Sequence, residues 1–175
     1  NIEDGNFELY AKADDELIKA VEDSDRYDAK IYENFYVEFP TKEVDSTLRI
    51  FKKRTDINLE CLMDGEFPSS DSEIAIDRMY ADNNSLKVGD VIASTDHSWR
   101  VTGLVALSDY SALFSDNNDS MFDAIKFGVA IVAEKGFAQL DQSKMTWQYA
   151  WKYNQSPKNN IAVSYTHLRA HETRG

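Results

Sequence analysis

Residues 86–107 read Leu-Lys-Val-Gly-Asp-Val-Ile-Ala-Ser-Thr-Asp-His-Ser-Trp-Arg-Val-Thr-Gly-Leu-Val-Ala-Leu, the most β-like stretch in the middle of the chain. Leu86, Val88, Val91 and Ile92 flank Gly89-Asp90, a pair suited to a turn that feeds a strand. Trp99, Val101, Val105 and Leu107 then alternate with Arg100 and Thr102, the period of two that gives a strand one apolar face. Only Gly103 breaks the pattern.

The same reading extends outward. Ile74 to Ile76 begins another strand, and Asp77 is placed to cap a short helix carrying Met79 and Tyr80. Asp64-Gly65 and the stretch from Pro68 to Ser72 punctuate a loop before it. A strand is expected from Leu48 to Phe51. Between Ile31 and Phe39 a single strand is expected, ended by Pro40. It would carry Ile31, Phe35, Val37 and Phe39 on one side and Tyr32, Asn34, Tyr36 and Glu38 on the other. The acids Asp14, Asp15 and Glu16 precede Leu17, Ile18 and Val21, an acidic first turn followed by one apolar helix face. Downstream, Phe127 to Ala133 reads as a buried central strand with a short helix, Glu134 to Leu140, behind it. Met145, Trp147, Tyr149, Trp151 and Tyr153 alternate with Thr146, Gln148, Ala150 and Lys152, the cleanest strand pattern of all. Strands outnumber helices without a strict βαβ rhythm. The expected class is therefore α+β, a mixed, mainly antiparallel sheet with a few short helices.

Apolar residues make up 42% of the 175 positions and aromatics 12%, enough for a real core. Thirty-one acids against 19 bases give a net charge of −12, which repels nucleic-acid phosphates and anionic membrane surfaces alike. No apolar run approaches the length of a membrane helix. The chain starts at Asn1 without an initiator methionine or a signal peptide, so it is expected to be a piece of something longer. Its one cysteine, Cys61, rules out an internal disulfide and reads as a small buried hydrophobe.

Few residues suggest chemistry. The seven glycines are scattered singly, with no phosphate-binding loop among them. A cysteine nucleophile needs a histidine, and before the last dozen residues there is only His97. Asp96-His97-Ser98 reads as a polar hairpin turn. Asp116-Asn117-Asn118-Asp119 is rich in oxygen ligands for calcium, but Met121 stands where the loop glycine belongs and Phe127 where the closing glutamate belongs. Asn83-Asn84-Ser85 and Asn118-Asp119-Ser120 match the N-glycosylation pattern. Carboxylates are abundant, yet no acid/base pair stands out, and a hydrolase would rest on that abundance alone. The aromatic stripe from Trp147 to Tyr153 could stack on sugar or peptide, though such a stripe is more often one buried face of a sheet. No catalytic, cofactor-binding or metal residue is assigned, no cofactor is expected, and the chain is expected not to be an enzyme.

Four segments in order carry a resemblance. Leu62-Met63-Asp64-Gly65-Glu66-Phe67-Pro68, Glu73-Ile74-Ala75-Ile76-Asp77, Leu86-Lys87-Val88-Gly89-Asp90-Val91-Ile92 and Trp99-Arg100-Val101-Thr102-Gly103-Leu104-Val105 resemble the extracytoplasmic core domain of MacB/FtsX-type ABC-transporter permeases. The family's motifs are a G-x-x-P loop, an E-I-x-I strand, an L-x-V-G-D-x-I turn and a strand with V-x-G between hydrophobic residues. The likeness covers about Leu48 to Val132, and Ser108 to Phe114 resembles a subgroup of large permeases from anaerobic Gram-positive gut bacteria. It implies a non-catalytic domain outside the membrane, between the first two transmembrane helices. A separate cytoplasmic ATPase would drive the permease, and the domain would push, bind or signal to an extracellular protein or peptide. The implied partners are thus the rest of the permease, the ATPase and that extracellular molecule, with no nucleic acid. A free-standing secreted or surface module for glycan or peptide is the alternative.

Ser164 to Arg174 resembles a translated sequencing-adapter artefact, and two of the chain's three histidines, His167 and His171, fall inside it. Their spacing of four would suit a metal on a helix, but a non-native origin removes the reason to expect one. The expected organisation is a domain over 1–163, incomplete at its C-terminal end, with 164–175 as a non-native tail.

Overall fold

The computed structural model describes residues 4–25, 28–42, 45–55, 59–94, 97–107 and 126–153. In chain order the strands are β1 (Asp4–Leu9), β2 (Ala29–Glu33), β3 (Tyr36–Thr41), β4 (Ser46–Lys52), β5 (Glu60–Gly65), β6 (Glu73–Asp77), β7 (Val91–Ala93), β8 (Ser98–Leu107), β9 (Phe127–Val132) and β10 (Trp147–Tyr153). The helices are α1 (Asp15–Ser24), α2 (Arg78–Asn83) and α3 (Glu134–Ala138), with a 3-10 turn at Gln142–Lys144. Two compact units result: Asn1–Phe35 with Thr146–Gly175, and Tyr36–Met145.

The first unit is an antiparallel sheet in the order β1-β10-β2, beside α1. The Asp14 carboxylate accepts the Leu17 N–H at 2.7 Å, satisfying a donor the first turn leaves without an intrahelical partner. Val21, Ala29, Ile31, Tyr149, Trp151 and Tyr153 form the core, and Phe7, Ile18, Phe35 and Trp147 pack on it half-buried. Opposite Trp151 in the register stands Gly5, where an added Cβ would lie 2.8 Å from the indole. The large ring thus fills the space of the missing side chain. The Tyr149 hydroxyl accepts the Ala13 N–H at 2.9 Å, which lets a buried phenol keep a partner.

Two expectations are corrected here. The single strand expected over Ile31 to Phe39 is two strands in different units, parted at Asn34-Phe35. The Asn34 N–H donates to the Gln148 carbonyl at 2.9 Å, and the Phe35 ring stands edge-on to Trp147 and Tyr149 at 4.9 and 5.2 Å. Apolar residues continue across the break, because Tyr36 and Val37 are both buried, so the pattern concealed it. Pro40 does not end β3 but lies inside it, tolerated because β3 lies at the end of the strand order. The second correction is to the aromatic stripe. β10 starts at Trp147, while Met145 precedes it in the other unit. Gln148 and Ala150, on the other face, are buried as well.

The second unit is a seven-stranded sheet in the order β3-β4-β9-β6-β8-β5, with β7 also paired to β8. β4/β9 and β6/β8 run parallel and the other pairs antiparallel, the mixed, mainly antiparallel α+β arrangement expected. The Lys42 N–H, just past β3, donates to the Ala93 carbonyl of β7 at 2.9 Å, so the sheet curls until these two strands meet. Leu48, Ile50, Ile74, Ile76, Val101, Val105, Val129 and Ile131 are fully buried. On one face α2 lays Tyr80 over Gly128, where a Cβ would come within 2.4 Å of the ring, and the Tyr80 hydroxyl bonds the Ser46 hydroxyl. Asp77 caps α2 by accepting the Tyr80 N–H at 3.0 Å, as expected. Burial pushes its carboxyl up, against the pull of the Tyr80 and Met79 N–H groups. Trp99 is fully buried, with Phe39 at 6.5 Å between ring centroids and α3 brought close at Gly136. Among the described residues no helix is long and apolar enough to cross a membrane.

Candidate interaction surface around β8 and β5

All four sequence motifs meet on β8. Gly65 ends β5 at φ +70°, and a Cβ there would lie 2.2 Å from the Thr102 carbonyl oxygen. Gly103 answers from β8, where a Cβ would lie 2.3 Å from the Glu66 carbonyl oxygen. Two glycines facing each other let the backbones close up until the Glu66 N–H reaches the Thr102 oxygen at 2.8 Å. The Gly89-Asp90 turn docks one step along. The Gly89 N–H donates to the Val101 carbonyl and the Val101 N–H to the Asp90 carbonyl, both at 2.8 Å. The Asp90 carboxylate closes its own turn by accepting the Lys87 N–H at 2.9 Å.

The glutamate of the E-I-x-I strand ties the remaining loop to this junction. One carboxylate oxygen of Glu73 accepts the N–H groups of Ser69 and Ser70 at 3.0 and 2.9 Å, and the other meets the Arg100 guanidinium at 2.9 Å. The Ser69 N–H above all, then that of Ser70, holds the Glu73 carboxyl at about 2, against an ordinary value of 4.5. A depressed carboxyl stabilises the fold above its unfolded value, and that contribution is lost as pH falls from 4.5 towards 2. Stability measured by urea denaturation is therefore expected to fall through this window, and Glu73→Gln is expected to flatten the acid limb. A variant with the unaltered slope would remove Glu73 from that role.

The residues considered for chemistry do not assemble. His97 is half-buried against Trp99, 4.2 Å between ring centroids, and among the described residues its Nε2 has no hydrogen-bond partner. Asn83 ends α2 and the Asn84 side chain donates to the Tyr80 carbonyl at 2.9 Å. Asp96, the Asp116-to-Asp119 loop, Asn118 to Ser120, His167, His171 and the segment Ser108 to Phe114 lie outside the described residues. Among the described residues no three His, Cys, Asp or Glu side chains come together as a metal cluster. The aromatic stripe goes to the core: Tyr149, Trp151 and Tyr153 are buried and Trp147 half-buried, so the stacking platform for sugar is not there.

Sequence reasoning missed β5 and read Cys61 wrongly. The thiol is exposed, because among the described residues β5 borders β8 on one side only and every residue from Cys61 to Gly65 is exposed. The available signal was the short apolar run Cys61-Leu62-Met63 leading into Asp64-Gly65, which reads as a strand running into a turn. A register shift between Leu62 and Asp64 sets Met63 in a bulge. Leu59, Leu62 and Met63 are 55, 36 and 47% exposed, a concentration of apolar surface along one strand.

No protein-family model matches the sequence, and no curated protein matches it. Solved structures do. The periplasmic region of MacB from Actinobacillus actinomycetemcomitans superposes with a TM-score of 0.50 at 8% identity, over 98% of this chain and 83% of its own. The extracellular domain of the noncanonic ABC-type transporter YknZ from Gram-positive bacteria aligns with a TM-score of 0.49 at 11% identity, over 97% and 94%. The chain has the α+β fold of the periplasmic region of MacB.

Proposed function

We propose that the chain is the extracytoplasmic domain of an ABC-transporter permease of the MacB/FtsX type, a non-catalytic relay on the outer face of the bacterial cell membrane. The observation that carries this reading is the β8 junction. The four segments that resemble the family meet at residues 100–103, inside a fold shared with the MacB periplasmic region. Residues 1–163 belong to the domain and 164–175 lie outside it as a non-native tail. The partners are the remainder of the permease, a cytoplasmic ATPase that drives it, and an extracellular protein or peptide. Close packing suits the second unit to a relay, since a densely packed sheet transmits displacement with little compression. A net charge of −12 keeps such a domain off an anionic membrane surface. The alternative of a free-standing glycan module loses its main support with the aromatic stripe buried.

Reading the coding DNA on both sides tests the proposal. Apolar runs of about 20 residues are expected before Asn1 and beyond Asn160, whereas a secretory signal with an early stop codon would assign a free-standing module. Calorimetric titration of the purified chain with Mg-ATP is expected to show no saturable binding. Saturable binding would overturn the relay.

A further inference from the structure

We infer that the outer edge of β5 is a strand-addition site for an extended, basic peptide segment of a partner protein. Among the described residues β5 is the last strand in the order of the seven-stranded sheet and is hydrogen-bonded to β8 alone. At β7, which also pairs with β8, the Ala93 carbonyl is taken by Lys42. Among the described residues no such bond reaches β5, so its outward N–H and C=O groups form a template for one further strand. Natural sheet edges are commonly blunted by lysine or proline. β5 carries neither: Leu59 precedes it and its exposed side chains are Cys61, Leu62, Met63 and Asp64, so its blunting is limited to one acid and the bulge at Met63.

Charge selects the occupant. From Thr55 to Asp77 the sequence holds Asp56, Glu60, Asp64, Glu66, Asp71, Glu73 and Asp77 and no lysine or arginine. Most of the described carboxylates are held by neutral donors, which leave the negative charge in place. Glu60 accepts the Arg54 N–H, Asp64 the Gly65 N–H, and Asp71 a Gln139 amide hydrogen. Among the described residues only Glu73 of this set forms an ion pair, with Arg100. An apolar strand edge set among unneutralised acids matches a segment in which apolar and basic side chains alternate. By the register, Glu60 and Leu62 share one face of β5 and Cys61 and Asp64 the other, so the apolar side chains would cover Leu62 on one face and the basic ones would answer Asp64 on the other. The inference concerns this edge alone and stands whether or not the permease reading does.

The probe is a fluorescein-labelled peptide, Lys-Val-Lys-Ile-Lys-Val-Lys, titrated by anisotropy against the whole chain. A copy N-methylated along its backbone keeps every charge and side chain but donates no ladder hydrogen bond. It is expected to bind at least about tenfold more weakly than the parent peptide. The double variant Leu59→Lys with Met63→Lys, at two largely exposed positions, is expected to keep the parent melting temperature and also lose about tenfold in affinity. Equal binding of the methylated copy would mean diffuse electrostatics and overturn strand addition. Unchanged binding by a folded double variant would place the site elsewhere, and no binding at millimolar peptide would leave the edge without this function. A concentration-dependent dimer of the chain that the double variant abolishes would assign the edge to a second copy and overturn the peptide assignment.

Discussion

Replacing Trp151 with alanine is expected to cost the first unit about 3–5 kcal/mol, enough to unfold a marginal small sheet. The indole is 1% exposed. It lies in the middle strand of three, stands over Gly5, packs 4.9 Å from the Tyr153 ring and belongs to the core with Val21, Ala29 and Ile31. Gly5 itself has no side chain with which to refill the cavity. Trp147, at the other end of β10, is half-buried with the edge-on Phe35 ring as a neighbour, and its alanine variant is expected to lose only about 1–2 kcal/mol. Urea denaturation followed by far-UV circular dichroism compares the two. Equal losses would contradict the core described for this unit. A Trp151→Ala variant that folds normally but no longer binds a sugar would return the stripe to a binding role.

Gly65→Ala is expected to be as damaging, for a different reason. The added methyl would meet the Thr102 carbonyl oxygen at 2.2 Å and Gly103 Cα at 3.1 Å, both backbone atoms of the buried strand β8. It would also hold an L side chain at φ +70°. Backbone cannot rotate aside, so β5 must separate from β8, at a cost of about 3 kcal/mol or more. Gly89→Ala is the matched control. Its φ is +99° but nothing lies within 4 Å of the added methyl, so only the conformational cost of about 1–2 kcal/mol remains. Denaturation midpoints of the two variants separate collision from strain. A Gly65→Ala loss no larger than that of Gly89→Ala would show that the β5–β8 crossing is looser than the distances state.

Most of the second unit was legible in the sequence because its strands are buried and regular. β4, β6, β8 and β9 carry β-branched or aromatic residues on their core faces, and Asp77 announces α2 through its cap. The four motifs were legible as a pattern, but their reason was not. Gly65 and Gly103 are 38 positions apart in the sequence, and only the folded backbone shows that each makes room for the other. The break at Asn34-Phe35 was hidden because side-chain alternation records burial, not which sheet provides it. β5 was hidden for the opposite reason. Its side chains face solvent, and its place in the sheet rests on backbone hydrogen bonds to β8, which leave little trace in composition.

The pairing of β1 with β10 has a consequence for the order in which the molecule forms. Asp4 lies opposite Lys152, so the first strand made must wait for nearly the last before its ladder can close. The entropy of closing a loop of that length grows only slowly with its size, but closure depends on the arrival of residues 147–153. A polypeptide emerging at about 5–20 residues per second leaves β1, α1 and β2 without their central strand for several seconds while residues 36–145 are completed. Folding during synthesis therefore runs from the inside of the chain outward. The second unit has all of its strands first, and β10 arrives afterwards to join two strands made long before it.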